Sequence, residues 1–125
     1  MIIINDVFSE EEKRLFDFIL KQNFKNKDET INYINALTAK HIVRDYSPFH
    51  RIIEFRTPNI KEGYTGMSCM IRIQLTRKDE NSHTIFTLYA KDGFPFEFEI
   101  YSADGSIINT STFFDNTQIK TETVM

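Results

Sequence analysis

The chain carries one cysteine and no tryptophan among its 125 residues. A single thiol, Cys69, excludes an intramolecular disulfide, so the fold must rest on a packed core, and a reducing compartment suits it. Base is also scarce. Fifteen Lys and Arg stand against eighteen Asp and Glu, a net charge of −3, without the basic excess or stripe that non-specific nucleic-acid binding uses. Nucleic acid is therefore not expected as a direct ligand. No apolar run approaches the roughly 18 residues of a membrane span. The opening Met1-Ile-Ile-Ile-Asn-Asp6 lacks the basic segment and the apolar length of a secretion signal. The expectation is a single cytoplasmic domain, long enough to bury one core unaided.

Chemistry-bearing motifs are equally sparse. The three histidines, His41, His50 and His83, show no spacing that puts two of them on one helix face. His41, Asp45 and His50 can meet only across a hairpin as a metal or acid/base set, and scattered strand histidines are more often surface polar residues. There is no G-x-S-x-G, no P-loop and no dinucleotide fingerprint. Cys69 falls in the alternation Cys69, Ile71, Ile73, Leu75, which predicts an inward side chain with a disfavoured thiolate. No catalytic residue, metal or cofactor is expected.

What is present is a pattern of turns and alternation. In Phe94-Pro-Phe-Glu-Phe-Glu-Ile-Tyr101, the residues Phe94, Phe96, Phe98 and Ile100 alternate with Glu97, Glu99 and Tyr101, which predicts a strand with one face in a core and one in water. Asp92-Gly93 and Asp104-Gly105 bracket it, dipeptides that tolerate the positive φ of tight hairpins. Upstream, Ser9-Glu-Glu-Glu12 is a capping box opening a helix over about residues 10–22, with Leu15, Phe16, Phe18, Ile19 and Leu20 on its apolar face. Asn26-Lys-Asp-Glu29 repeats that logic for a second helix, at about 27–38. From Lys40 the residues favour strands. Lys40 to Asp45 and Arg51 to Arg56 read as a hairpin, followed by a punctuated loop from Thr57 to Gly66. Met67 to Arg77, His83 to Lys91 and Ser106 to Asn109 supply further strands. Ile2 to Ile4 reads as an edge strand or apolar arm, and Phe113, Phe114 and Ile119 are the apolar residues of a polar tail, 110–125.

The fold class predicted is α+β: two N-terminal helices packed on a predominantly antiparallel meander of five or six strands, in two layers, with the sheet over about 40–109. With the helices on Ile71, Ile73, Leu75, Phe86, Leu88, Phe96 and Phe98, the other face presents Arg72, Gln74, Ile85, Thr87, Tyr89, Glu97, Glu99 and Tyr101. Glu97 and Glu99 stand roughly 6 to 7 Å apart along one strand, a separation that paired glycosidase carboxylates also show. Those sit in a deep cleft, whereas these sit on an open sheet. The alternatives are a solvated face with ion pairs to Arg72 or Lys91, or a protein-recognition surface, with Arg72 part of it, in which Tyr89 and Tyr101 anchor while Glu97 and Glu99 steer a basic partner.

The segment Tyr89 to Ile108, with D-G followed by F-x-F-E-I-Y-S-A-D-G-S-I-I, resembles the C-terminal half of a family of small uncharacterised bacterial α+β proteins. Ser9-Glu-Glu-Glu-Lys-Arg-Leu-Phe-Asp-Phe-Ile-Leu20 is similar to that family's first helix. The two stretches span about a quarter of the chain, and residues 23–66 have no counterpart in the likeness. In size, acidity and architecture the chain is also similar to the immunity proteins of bacterial toxin systems, including contact-dependent growth inhibition. That resemblance implies a cytoplasmic, non-enzymatic protein that binds a cognate toxin domain with a basic surface. The remaining alternative is a small enzyme or ligand-binding domain with a pocket between helices and sheet.

Overall fold

The computed structural model describes residues 5–60, 66–77, 82–103 and 119–123. The expectations for Ile2 to Ile4, the centre of the Thr57 to Gly66 loop, the Asp104-Gly105 turn, Ser106 to Asn109, Phe113 and Phe114 fall outside these residues. The fold is α+β. Helices α1 (Glu10–Leu20) and α2 (Lys27–Asn35) precede six strands: β1 (Ile42–Ser47), β2 (His50–Phe55), β3 (Met67–Arg77), β4 (Ser82–Lys91), β5 (Phe94–Ser102) and β6 (Ile119–Thr123). Among the described residues no helix is long and apolar enough to cross a membrane.

Helix α1 begins where its sequence says it should. The Glu12 amide donates to the Ser9 hydroxyl at 3.1 Å, and the Ser9 amide donates to the Glu12 carboxylate at 2.8 Å, so two orphan donors of the first turn are satisfied reciprocally. The helix buries Leu15, Phe16, Ile19 and Leu20 and ends two residues short of Gln22. Helix α2 starts differently from expectation. Asn26 has φ of 60° and its side chain makes no capping bond. A left-handed backbone, which asparagine tolerates, turns that side chain away from the helix amides, and the first turn is held instead by the Thr30 hydroxyl donating to the Asn26 carbonyl at 2.8 Å. Asn5 fixes the other end of α2 by donating to the carbonyls of Asn35, at 2.9 Å, and of Leu37.

All the strand pairings are antiparallel, in the order β1-β2-β5-β4-β3-β6. Strands β3, β4 and β5 form a meander, but the β1-β2 hairpin docks on β5 and not on its sequence neighbour β3, so β5 lies inside the sheet with partners on both edges. The β4-β5 turn has φ of 51° at Asp92 and, at Gly93, 85°, the doubly positive geometry that matches strand twist. Residues 119–123 of the polar tail are not a loose end: they pair with β3 as the outermost strand.

Two irregularities correct the simple alternation. The β3-β4 register runs from the Cys69 and Tyr89 pair to the Ile71 and Leu88 pair, leaving Met70 as an extra residue. That single insertion reverses the parity upstream, so Cys69 is exposed and not inward. In β5, Glu97 faces Tyr89 while Pro95 faces Ala90, so Phe96 is the extra residue. Phe94 therefore leaves the core, at 37% exposed, whereas Phe96, Phe98 and Ile100 stay buried.

The core lies between the helices and one sheet face. Phe16 of α1 packs on Phe8, Phe55 and Phe98 with ring centroids 5.0, 6.0 and 4.7 Å away, and Phe18 meets Phe86 at 5.5 Å. Ile53, Ile71, Ile73, Leu75, Leu88 and Ile100 complete the sheet side, and Ile34 and Leu37 come from the α2 region. Each such side chain, fully removed from water, stabilises the fold by about 1.5 to 3 kcal/mol.

Candidate functional site

The strand registers bring the expected open-face residues together. Arg72, Thr87 and Glu99 lie in one row across β3, β4 and β5, and Gln74, Ile85 and Tyr101 lie in the next. Tyr89 is directly opposite Glu97. The docking of β2 on β5 adds residues not expected on this face: His50 faces Tyr101, Ile52 faces Glu99 and Glu54 faces Glu97. Their signal was the alternation His50, Ile52, Glu54 against Arg51, Ile53, Phe55, but which strand they would meet was not encoded locally.

The polar side chains on this face form an ordered set. His50 Nε2 lies 2.6 Å from Glu99 Oε2, and the Tyr89 hydroxyl donates to Glu99 Oε1 at 3.4 Å. Among the described residues Arg72 does not pair with a carboxylate. It donates through Nε to the Thr87 hydroxyl at 3.3 Å and through a terminal nitrogen to the Tyr89 hydroxyl at 3.5 Å. Arg56 donates to Glu54 at 3.0 Å from a side chain that is itself 61% exposed.

Glu97 differs from the solvated residue expected. It is 6% exposed, and no hydrogen bond is among the influences on its carboxyl. Burial, and then the charges of Glu99 and Glu54, push its pKa up to about 6, with His50 pulling in the opposite direction. Lys91, the other expected partner, is buried with its ammonium 5.5 Å from the Phe96 ring centre. At the end of β5 the aromatic residues emerge: Tyr101 is 45% and Phe49 is 44% exposed. His50 meets Tyr101 edge to face at 5.6 Å, and the Ser102 amide donates to the Phe49 carbonyl, tying the β1-β2 turn to β5.

His41, Asp45 and His50 are not assembled. His41 Nδ1 accepts from the Thr38 amide at 3.1 Å before β1 begins, Asp45 is opposite Ile52, and His50 lies at the other end of the hairpin on Glu99. His83 is engaged by Thr76 and Gln74. Among the described residues no group of three or more His, Cys, Asp or Glu is arranged to hold a metal ion.

The helix side holds a second charged cluster of opposite character. Glu12, 2% exposed, accepts from Arg44 Nε at 2.5 Å and from its terminal nitrogen at 2.8 Å, and also from the Tyr46 hydroxyl. Burial pushes the Glu12 pKa up, but the bonds from Arg44, Tyr46 and Ser9 together carry it below the ordinary value. The Tyr46 phenol is pushed up by burial and by donating to Glu12. Arg51 pairs with Glu11 beside it. These contacts weld the start of α1 to β1 and β2. The groove there, about 460 Å³ and lined by Asp6, Ser9, Glu11, Glu12, Arg44 and Tyr46, is walled by groups already partnered or exposed to water.

A cleft of about 320 Å³ separates α2 from the β4-β5 turn, lined by Asn26, Glu29, Thr30, Tyr33, Gly93, Phe94 and Pro95. Its titratable groups are Glu29 and the Tyr33 phenol, which is pushed up by burial while its hydroxyl lies 2.5 Å from that of Thr57. Comparison of the chain with protein-family models, with curated proteins and with solved structures returned no match.

Proposed function

We propose that this domain is a non-enzymatic binding module, and specifically a cytoplasmic bacterial immunity protein that neutralises a cognate toxin by covering its basic substrate-binding surface. The observation that carries this reading is the open sheet face. Glu54, Glu97 and Glu99 gather on two adjacent strands beside the exposed rings of Tyr101 and Phe49. Carboxylates on a rigid sheet attract a basic partner at long range, and aromatic side chains at their border supply apolar contact once it docks. The alternative, a small enzyme or ligand-binding domain, has the cleft beside Tyr33 as its site, but Glu29 is the one carboxylate there and no nucleophile-base pair accompanies it.

The test is binding to, and protection against, a candidate toxin domain with a basic substrate-binding surface. The double change Glu97→Lys, Glu99→Lys slows association and weakens its salt dependence, because steering charges act on kon, while Tyr101→Ala raises koff. Both variants lose protection of a toxin-expressing cell while keeping the wild-type circular dichroism spectrum. Wild-type kinetics and full protection in both variants would move the recognition surface off this face.

A further inference from the structure

Glu97 has an environment that neither a structural nor a merely solvated glutamate needs. The residue is more than nine-tenths buried, yet no hydrogen bond is among the influences on its carboxyl. Directly opposite it stands Glu54, and two residues along the same strand stands Glu99. Cross-strand pairs put side chains within about 4.5 to 5.5 Å of each other, so like charges there are unfavourable. Each outer carboxylate has local relief, Glu54 from Arg56 and Glu99 from His50 and Tyr89. On the central one only the charge of His50 acts favourably, with no hydrogen bond among its influences. Arg72, in the same row as Glu99, is held instead by the Tyr89 hydroxyl and Thr87.

We propose that Glu54, Glu97 and Glu99 form a receptor for one arginine side chain presented by the protein partner. A guanidinium carries five donors in a rigid plane, so it can bond Glu97 through two nitrogens and still reach a flanking carboxylate. It is also less strongly hydrated than an ammonium, which favours arginine over lysine beside a largely buried carboxyl. Tyr89 and Ile52 border the position and suit the flat apolar faces of a guanidinium. The inference rests on reading the open face as a protein-binding surface, and names the group that surface takes.

Binding is linked to protons. The groups facing Glu97 are Glu54 and His50 on β2, Tyr89 on β4 and Glu99 on β5, with Arg56 and Arg72 behind Glu54 and Tyr89. A guanidinium needs Glu97 ionised, so a carboxyl that titrates near pH 6 in the free protein must release its proton on binding. Affinity therefore falls about tenfold between about pH 7.5 and pH 5.

The experiment is a titration of the isotopically labelled full chain with N-acetyl-arginine amide, followed by backbone amide shifts, with N-acetyl-lysine amide and calcium chloride as comparison probes. The expected result is saturable shifts centred on Glu54, Glu97 and Glu99, several-fold tighter for the arginine probe than for the lysine probe and weaker at low pH. In Glu97→Gln both the shifts and the pH dependence are lost, while in His50→Gln the pH dependence remains. No saturable shift at these amides, undiminished shifts in Glu97→Gln, or equal response to lysine amide or calcium would overturn the assignment. The two readings fail separately. If the arginine probe gives nothing but the charge-reversed face still loses the toxin, the docking face stands and this receptor falls. If the probe binds but charge reversal leaves toxin binding intact, the receptor stands and the docking face falls.

Discussion

Replacing Glu97 by glutamine is expected to stabilise the protein, and only above acid pH. In the folded chain this carboxyl titrates at about 6, against an ordinary value of 4.5. The folded state therefore binds a proton more tightly than the unfolded chain does. Below about pH 4.5 both states are protonated at this site and nothing is lost. As pH rises from about 4.5 through 6, the unfolded chain ionises first and folding becomes less favourable, by on the order of 2 kcal/mol at most. Glutamine keeps the shape without the charge, so it recovers about 1 to 2 kcal/mol at neutral pH, discounted for the amide's own unmet bonds. With a urea slope of about 2 kcal/mol per molar, the unfolding midpoint rises by about 0.5 to 1 M. The measurement is urea unfolding followed by circular dichroism at about pH 4.5 and pH 7.5, in wild type and variant. A glutamine variant that is less stable than wild type at neutral pH would show that Glu97 has a stabilising partner, and the argument for an unfilled site would be lost.

The remaining predictions test the two faces of the sheet. Phe98→Ala removes a ring 4.7 Å from Phe16 and 6.3 Å from Phe86, and is expected to destabilise by about 3 to 5 kcal/mol in chemical unfolding. Glu99→Gln, on the other side of the same strand, loses only a partly exposed pair with His50 and changes stability by less than about 1 kcal/mol; equal shifts in both would mean the faces are misassigned. Glu12→Gln has the opposite pH signature to Glu97→Gln. Its carboxyl is held below the ordinary value of 4.5, so its contribution is present above that value and lost as pH falls through the lower folded value. The variant is therefore destabilised at neutral pH and converges on wild type in acid, as read by thermal unfolding across pH.

The features legible in the sequence were those set by neighbours along the chain. The Ser9 and Glu12 capping box, the Asp92-Gly93 turn and the β1-β2 hairpin each depend on a few consecutive residues. Period-two alternation in β3, β4 and β5 was enough to put Arg72, Tyr89, Glu97, Glu99 and Tyr101 on one face. The pairing of β2 with β5 was not legible, because it joins segments some fifty residues apart and no local pattern names the partner. Glu54 and His50 were missed for that reason. The extra residues at Met70 and Phe96 were hidden too, since an apolar residue can be read on either side of an alternation. Strand β6, with Lys120 and Glu122 between its other residues, carries the charge expected of an edge strand, and composition alone reads that as tail.

The two buried glutamates show what separates structure from function in this chain. Glu12 and Glu97 are both nearly removed from water, yet one is surrounded by donors and the other by acids. Glu12 receives bonds from Ser9, Arg44 and Tyr46, which join α1 to the sheet, so its burial is accounted for within the fold. No hydrogen bond is among the influences on Glu97. A face shaped only for solubility would oppose Glu97 with lysine or arginine, and Glu54 stands there instead. Arg72 is close enough to have been the internal partner, but it is held on Tyr89 and Thr87, an arrangement that keeps the carboxylates free of the one arginine of β3 whose side chain is described. Natural sequences agree with their own fold at most positions, and a disagreement maintained at the middle of a sheet face is where a partner's chemistry is to be sought. The complement Glu97 calls for is a cation, and with Arg72 held on Tyr89 and Thr87, the proposed arginine of a partner supplies it.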